Sequence, residues 1–179
     1  MSKKVLIIAT SPRKNGNSNR IAQEFEKGAR EAGNTTEIVY LYDKTINFCK
    51  GCLACQKTHQ CVIKDDANEI VEKMKHSDVI VWATPIYYYE MSGQMKTMID
   101  RANPIFGSEY KFKDIYLIAT AADSGEYAMD GAIKGLQGWI DCFAGTNIKG
   151  VLKGLGLEGI GAVENTPILQ QAYNMGKTV

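Results

Sequence analysis

The stretch Lys4-Val-Leu-Ile-Ile-Ala-Thr10, followed by Ser11-Pro-Arg-Lys-Asn-Gly-Asn-Ser18, decides the fold. The first part is a continuous apolar run, which is typical of a strand buried on both faces of a parallel sheet. The second part holds Pro, Gly, Asn and Ser and is a loop. Apolar residues at helical spacing then predict a helix over Asn17–Ala32, which Gly33 ends.

The same alternation continues to the end of the chain. Further strands are predicted at Thr35–Tyr42, Asp78–Thr84 and Lys113–Ala121, and within Asn147–Leu157. Further helices are predicted after Asp65-Asp66, over Ser92–Ala102 and Ala128–Phe143, and from Thr166-Pro167 onward. Five strands alternating with helices predict a flavodoxin-like, doubly wound parallel sheet of order 2-1-3-4-5 with helices on both faces. We expect one domain over residues 1–179, with an irregular cysteine-rich insertion at about 45–64.

Composition and charge limit the class of protein. The chain has 179 residues, of which 45% are hydrophobic and 23% charged, so it is globular and not disordered. Its 21 basic and 20 acidic residues give a formal charge of +1, which argues against nucleic-acid and membrane partners. Its apolar runs are shorter than the roughly 20 residues of a membrane span. We expect a cytoplasmic protein with reduced cysteines.

The loop after the first strand is a candidate phosphate site. In doubly wound sheets the ligand lies beyond the carboxyl ends of strands one and three. Backbone N–H groups at a helix N-terminus bind anions, and Gly16 lets the backbone approach one closely. The side chains expected to contact the phosphate are those of Ser11, Arg13, Asn17 and Ser18. The alternative is a polar turn in which Asn17 or Ser18 caps the helix.

Other phosphate motifs are absent from the sequence or misplaced in it. The loop lacks the G-x-x-x-x-G-K-[ST] pattern of nucleoside triphosphatases and the cysteine of a phosphatase of this fold. Gly154-Leu-Gly-Leu-Glu-Gly159 matches G-x-G-x-x-G, but it follows the last strand and does not open a predicted helix. We therefore expect no dinucleotide fingerprint there.

Two more loops are expected at the same edge of the sheet. Pro85–Met91 is predicted as a loop with three adjacent tyrosines, on which a planar ring could lie. Small residues in the loop after the fourth strand would let the edge of such a ring approach the backbone. The candidate ring contacts are Pro85, Ile86, Tyr87 and Tyr88, with Thr120, Ala121, Ala122 and Asp123. The alternative for the tyrosines is a subunit contact. Trp82, inside a strand, is expected in the core.

Four cysteines form the compact pattern Cys49-x2-Cys52-x2-Cys55-x5-Cys61. Zinc ribbons separate two ligand pairs more widely, whereas steps of three residues suit an iron–sulfur cubane. One [4Fe–4S] cluster on these four residues is one interpretation, and a loop of reduced structural or redox-reactive cysteines is the other. In the helix after the tyrosine loop, Lys96, Asp100 and Arg101 are expected to form ordinary ion pairs that anchor the helix.

Together these residues resemble the NADPH-dependent FMN reductase family of the flavodoxin-like fold. The resemblance covers nearly the whole chain; its pieces are Ser11–Ser18, Asp65-Asp66, Thr84-Pro-Ile-Tyr87, Ser92-Gly93, Lys96, Asp100-Arg101 and Ala172–Lys177. It implies bound FMN, NAD(P)H as co-substrate, and homodimers or homotetramers with the flavin near a subunit interface. The cysteine spacing resembles that of the iron–sulfur flavoproteins within the family, which implies a [4Fe–4S] cluster, although relatives with similar loops lack one.

Two functions follow from the residues and the resemblance. The first is an FMN-dependent oxidoreductase that passes electrons from NAD(P)H to a small acceptor: a quinone, a nitro or azo aromatic, or free flavin. The second is an electron carrier that uses FMN and a cluster with a ferredoxin-like partner. The charge of +1 favours the enzyme, because a plain flavodoxin would be strongly acidic, whereas the cysteines favour the carrier. The loops offer no isolated acid–base residue, so no catalytic residue is named.

Overall fold

A computed structural model describes residues 2–179, and within them the chain forms six strands and six α-helices. The strands are β1 (Lys4–Ala9), β2 (Thr35–Tyr40), β3 (Val79–Tyr87), β4 (Glu90–Met91), β5 (Asp114–Thr120) and β6 (Asn147–Gly154). The helices are α1 (Asn17–Glu31), α2 (Cys55–Thr58), α3 (Ala67–Lys75), α4 (Gly93–Arg101), α5 (Asp130–Ile140) and α6 (Pro167–Lys177). In this described range, every helix is too short or too polar to cross a membrane.

The sheet has the predicted topology. Its strands lie in the order β2-β1-β3-β5-β6 and all of these neighbours pair in parallel. Numbered along the chain without the two-residue strand β4, this is the order 2-1-3-4-5. The flavodoxin-like fold is therefore confirmed, with β4 as an antiparallel addition to the end of β3.

Two apolar layers cover the sheet, because successive residues of a buried strand point to opposite faces. Leu6 and Ile8 of β1 pack in the layer that holds α3, α4 and α5. Val5 and Ile7 pack in the opposite layer with α1 and α6. Trp82 is fully buried, as predicted.

The prediction of a loop over Pro85–Met91 is wrong. Strand β3 continues to Tyr87 and returns as β4, so the segment is a hairpin with Tyr88 and Tyr89 as its two-residue turn. Both turn residues have positive φ, 50° and 62°. Turns of this kind favour Asn and Gly, and neither residue stands at these two positions, so the usual hairpin signal is missing.

Three smaller differences concern helix boundaries. The predicted helix Ala128–Phe143 is a 3-10 turn over Glu126–Met129 followed by α5. The short helix α2 lies inside the cysteine-rich insertion and has no signal in the sequence. Helix α3 begins directly after Asp65-Asp66, where Asp65 accepts the backbone N–H of Ala67 (3.1 Å) and Asp66 instead accepts that of Thr45 (2.6 Å).

Candidate functional site

The carboxyl ends of the three central strands meet at one edge of the sheet. Ala9 of β1 pairs with Ala83 of β3, and Pro85 of β3 pairs with Thr120 of β5. The three segments expected to form the site therefore lie side by side where the strand order reverses.

Buried hydroxyl groups join the first two of these segments. The Thr10 and Ser92 hydroxyls lie 3.0 Å apart, and Thr84 donates to Ser92 over 3.2 Å. Ser92 also accepts the backbone N–H of Met95 and so caps α4. This cluster fixes the hairpin and the start of α4 beside the loop that follows β1.

The loop after β1 is held in shape by bonds to a single carbonyl group. The carbonyl oxygen of Arg13 accepts from the backbone N–H of Gly16 (3.0 Å), from the Ser11 hydroxyl (3.2 Å) and from the Asn19 amide (3.1 Å). Asn19 is almost fully buried, and sequence analysis missed its role. The turn before α1 is thus closed by hydrogen bonds among its own residues and the first turn of α1.

This turn fits a phosphate group. A Cβ atom on Gly16 would lie 2.3 Å from the Ser11 hydroxyl oxygen, so only glycine fits there without a shift. The hydroxyl of Ser18 is fully buried and finds no hydrogen-bond partner within residues 2–179. The first-turn N–H groups of α1 lack intrahelical acceptors, as in every helix, and an anion there would satisfy them.

The Asn17 side chain has a different role from the predicted one of a phosphate contact. Its amide donates to the carbonyl oxygens of Leu157 (3.3 Å) and Gly159 (2.8 Å), and its oxygen accepts the N–H of Val163 (3.4 Å). Helix α1 begins at Asn17 with Gly16 as its cap residue, so the alternative of a side-chain cap at Asn17 or Ser18 is wrong. The backbone N–H of Asn17 remains at the helix N-terminus.

The G-x-G-x-x-G segment connects the first and third loops. It follows β6 and continues into turns, so it does not open a helix. The N–H groups of Leu157 and Gly156 bind the carbonyl oxygens of Ala121 (2.8 Å) and Asp123 (3.0 Å). Since Leu157 also binds Asn17, this segment sets the spacing between the predicted phosphate and ring contacts.

A carboxylate joins the hairpin to the third loop. Asp123 accepts the Gly125 N–H (2.7 Å), the Tyr127 hydroxyl (3.0 Å) and the Tyr89 hydroxyl (3.3 Å). The Gly125 and Tyr127 donors hold the pKa of Asp123 below its usual range, and the carboxylate raises the pKa of Tyr127. Tyr88, at the tip of the turn, is fully exposed.

All four cysteines of the compact pattern line one cavity of about 540 Å³, together with the fifth, Cys142. All five are free thiols. Cys55 is buried, Cys61 is half-buried, and the others are exposed. Within residues 2–179, groups of three or more metal-ligating side chains close enough to hold an ion do not occur. The donor set suits an iron–sulfur cluster chemically, but the sulfur atoms are not gathered around one point.

Arg101 ties the cysteine-rich insertion to the body of the protein. Its buried guanidinium donates to both carboxylate oxygens of Asp65, at 2.6 and 2.8 Å. It also donates to the carbonyl oxygens of Asn47 (2.8 Å) and Ile63 (3.2 Å), which lie on either side of the four cysteines. We name residues 47–63 the cysteine segment.

The expectation of ordinary helix-anchoring pairs is right for Lys96 and Asp100, which are exposed on α4 with Nζ and Oδ1 2.6 Å apart. It is wrong for Arg101, whose partner is the buried Asp65. Burial opposes ionisation of Asp65, but donors from Arg101 and Asn47 outweigh it and hold its pKa well below the usual range. The pair is therefore charged at neutral pH and anchors the cysteine segment instead of the helix.

Helix α5 places the cysteine cavity next to the hairpin. A Cβ on Gly131 would lie 2.4 Å from the Tyr89 carbonyl oxygen, so the turn rests directly on the helix. Gly135, one turn later, packs against Met91 and lines the cysteine cavity. At 1.5 Å rise per residue, the two contacts are about 6 Å apart along the helix. The predicted ring site and the cysteines are thus neighbours.

A doubly wound parallel sheet of this strand order, covered by helices on both faces, defines a protein of the flavodoxin-like fold. The family model described as NADPH-dependent FMN reductase matches residues 3–143 of the chain. The chain belongs to this family of oxidoreductases, which confirms the resemblance drawn from the sequence.

Curated relatives divide between two kinds of flavoprotein. An iron–sulfur flavoprotein of Methanocaldococcus jannaschii is 39% identical over 102 residues, which are 57% of this chain and 53% of that protein. The Bacillus subtilis protein YwqN, whose name proposes an NAD(P)H-dependent FMN-containing oxidoreductase, is 28% identical over 86% of this chain and 85% of its own. The chain spans about half the length of the iron–sulfur flavoproteins it matches.

Solved structures share the fold over the whole chain. The NAD(P)H:quinone oxidoreductase of Methanothermobacter marburgensis superposes with a TM-score of 0.76 at 18% identity, covering 99% of this chain and 96% of that one. An azoreductase of Bacillus anthracis superposes with a TM-score of 0.73 at 17% identity, covering 100% of both chains. At such identities the likeness supports the fold.

Proposed function

We propose that the protein is an FMN-dependent NAD(P)H oxidoreductase. The observation that carries this proposal is the cradle formed by Ser11–Ser18, in which the Gly16 backbone is closed against Ser11 and the buried Ser18 hydroxyl lacks a partner within the described chain. A phosphate monoester at this helix N-terminus would satisfy both the hydroxyl and the first-turn N–H groups.

Two regions of the protein would bind the cofactor, one its phosphate and the other its ring. The N–H groups of the cradle and the hydroxyl of Ser18 would bind the phosphate, and the exposed Arg13 side chain would pair with its charge. The Ser11 hydroxyl, predicted as a further phosphate contact, donates to the Arg13 carbonyl and so shapes the cradle. The ring would lie between Pro85–Tyr88 and Thr120–Asp123. Bound FMN would supply the redox chemistry, the transfer of reducing equivalents from NAD(P)H to an acceptor. The protein holds the cofactor and, through Asp123, keeps Tyr89 and Tyr127 in place beside it.

Small planar acceptors fit this arrangement. Tyr88 and Tyr127 are exposed at the edge where the ring would lie, and aromatic faces favour stacking with flat molecules. We therefore propose quinones, nitro or azo aromatics, or free flavin as acceptors. The exposed tip of the hairpin also suits a contact between subunits of a homodimer or homotetramer, and the free thiols suit the cytoplasm.

Purification without oxygen, followed by a visible spectrum and steady-state oxidation of NADPH and NADH, tests the proposal. We expect about one FMN per chain and nucleotide oxidation with a quinone as the sole added acceptor. Absence of flavin, even after FMN is added, would refute the proposal. Bound FMN without oxidation of either nucleotide would refute the enzyme and leave the carrier.

A specific observation favours a second candidate, an iron–sulfur flavoprotein that carries electrons to or from a ferredoxin-like partner. Four cysteines with cubane spacing line one cavity, and α5 brings that cavity next to the hairpin. Relatives up to 39% identical are named iron–sulfur flavoproteins. In this candidate Cys49, Cys52, Cys55 and Cys61 would ligate one [4Fe–4S] cluster after moving together.

Iron and acid-labile sulfide in the same anaerobic preparation separate the two candidates. About four irons per chain, lost in Cys52→Ser but kept in Cys142→Ser, would support the cluster on the compact pattern. Cys142 is the matched control because it lines the same cavity but lies outside the pattern. FMN without iron would leave the two-electron enzyme.

A further inference from the structure

The irregular segment that follows β6, residues 155–165, is positioned by its neighbours in the fold. Gly156 and Gly161 have positive φ, 68° and 82°, and the backbone around them forms neither a helix nor a strand. The N–H groups of Gly156 and Leu157 bind carbonyl oxygens of the third loop, residues 121–125, over 3.0 and 2.8 Å. The position of the third loop therefore depends on that of this segment.

The side chain of Asn17 holds the segment against α1. Its amide donates to the carbonyl oxygens of Leu157 (3.3 Å) and Gly159 (2.8 Å). Its oxygen accepts the N–H of Val163 (3.4 Å), a residue that is fully buried. Leu157 is thus bound to α1 through its carbonyl group and to the third loop through its N–H group.

An ion pair joins the same two elements at a second point. Arg20 of α1 donates to Glu164 over 3.0 Å, but the pair lies at the surface of the protein, where such pairs contribute little. The three bonds of Asn17 reach the part of the segment that contacts the third loop, whereas Glu164 lies beyond it. Asn17 is therefore the side chain through which α1 acts on that loop.

We propose that Asn17 is a positioning residue for the flavin ring, which fixes the third loop through Leu157 before the ring binds. A loop that is already ordered loses less conformational entropy on binding. The inference rests on the proposed function, in which the ring contacts residues 120–123. It gives adjacent residues different tasks, because the buried, unpartnered hydroxyl of Ser18 is the one proposed to bind the phosphate.

Three alanine variants separate these tasks. Asn17→Ala removes the three bonds without adding charge beside the phosphate, and Ser18→Ala removes the hydroxyl. Asn174→Ala is the matched control, since this exposed asparagine of α6 bonds to Gln170 (2.9 Å), far along the chain from the cradle. Circular dichroism and a thermal melt establish that the variants fold. Asn17→Asp, which keeps the acceptor for Val163 and loses both donors, replaces Asn17→Ala if that variant does not fold, with riboflavin as the probe.

The first measurement is the affinity of each flavin-free protein for FMN and for riboflavin, which lacks the phosphate. Asn17→Ala should weaken the binding of both flavins by the same factor, roughly tenfold, because the ring must then order the third loop. Ser18→Ala should weaken FMN alone, and Asn174→Ala should match the wild type. A loss confined to FMN in Asn17→Ala would show a phosphate contact and overturn the proposal, as would unchanged affinities for both flavins.

The second measurement is hydrogen exchange in the flavin-free protein, resolved by mass spectrometry. Exchange at the N–H groups of Gly156 and Leu157 should be roughly tenfold faster in Asn17→Ala, since the bonds that hold them to the third loop open more often. Unchanged exchange at both groups in the folded variant would overturn the proposal. Failure of the wild type to bind either flavin would refute the proposed function, while the exchange rates would still decide whether Asn17 holds the third loop.

Discussion

The cradle Ser11–Ser18 and the cysteine segment are two loops of the same protein that are built in opposite ways. The cradle follows a buried strand directly, and its own groups fix it through the Arg13 carbonyl. The cysteine segment follows an edge strand, and two of its thiols are exposed. Its ends are fixed by Arg101, which comes from a distant helix.

The difference shows two levels of preorganisation. The cradle is closed by its own hydrogen bonds, so binding there should require little ordering of the chain. The cysteine segment has a frame that Arg101 fixes at both ends, and a cluster would have to gather the sulfur atoms within it. Substitutions should therefore act on ligand affinity in the cradle and on stability in the frame of the segment.

The largest expected effect is that of Asp65→Asn on stability. The substitution leaves the guanidinium of Arg101 buried without its charged partner, which typically costs about 3–5 kcal/mol. Urea unfolding at pH 7 measures the change. Asp100→Asn, which removes only the exposed pair with Lys96, is the control and should cost less than about 1 kcal/mol.

The same pair predicts a pH dependence with a defined sign. Because the folded protein lowers the pKa of Asp65, its contribution is complete above the unfolded pKa of about 3.9 and is lost as the pH falls toward the folded value. The gap in stability between wild type and Asp65→Asn should be constant from pH 7 to 5 and narrow below about pH 4. A gap that widens on acidification would contradict a charged Asp65.

Gly16→Ala changes the cradle and should leave the cysteine segment unaffected. A methyl group 2.3 Å from the Ser11 hydroxyl forces the cradle to shift, so we expect FMN affinity to fall roughly 100-fold, the equivalent of about 2.7 kcal/mol. Gly138→Ala, on the exposed face of α5 with open space around the new methyl, is the control. Reactivity of the cysteines should not change in either variant, and a change in Gly16→Ala would show that the loops are coupled.

The smallest expected effect is that of Tyr88→Asn, in the hairpin of β3 and β4, on the melting temperature. Tyr88 has a φ of 50° and is fully exposed, and the left-handed region costs roughly 1 kcal/mol for such a residue. Tyr88→Asn should raise the melting temperature by about 2–4 °C, because Asn tolerates this backbone. If Tyr88 contacts the flavin ring, the same variant should weaken FMN binding. A lower melting temperature would show that Tyr88 is held by contacts, such as those between subunits.

Local patterns were enough to predict the fold. The apolar run of β1, the turn after it and the regular alternation of strands and helices are all local patterns, so the sheet order could be predicted without knowledge of distant contacts. The hairpin could not, because its turn consists of two tyrosines in place of the Asn and Gly that such turns favour.

The roles of side chains that act across the fold were missed. Arg101 directly follows Asp100 in the sequence, but its ion-pair partner is Asp65, 36 residues away. Asn17 suits a phosphate contact by type, yet its amide binds carbonyl groups some 140 residues later. The Asn103 amide likewise donates to the sulfur of Cys55 (3.0 Å), 48 residues earlier in the sequence. Only the packing of α4 and of the segment after β6 reveals these contacts.

The most direct test of the central claim compares the affinity of the flavin-free protein for FMN and for riboflavin, which differ only in the phosphate group. If the cradle binds the phosphate, FMN should bind at least about 100-fold more tightly, since each hydrogen bond to a charged group contributes about 1.5–3 kcal/mol. Gly16→Ala should remove most of that difference and leave riboflavin binding unchanged. Equal affinities of the wild-type protein for the two flavins would contradict the account.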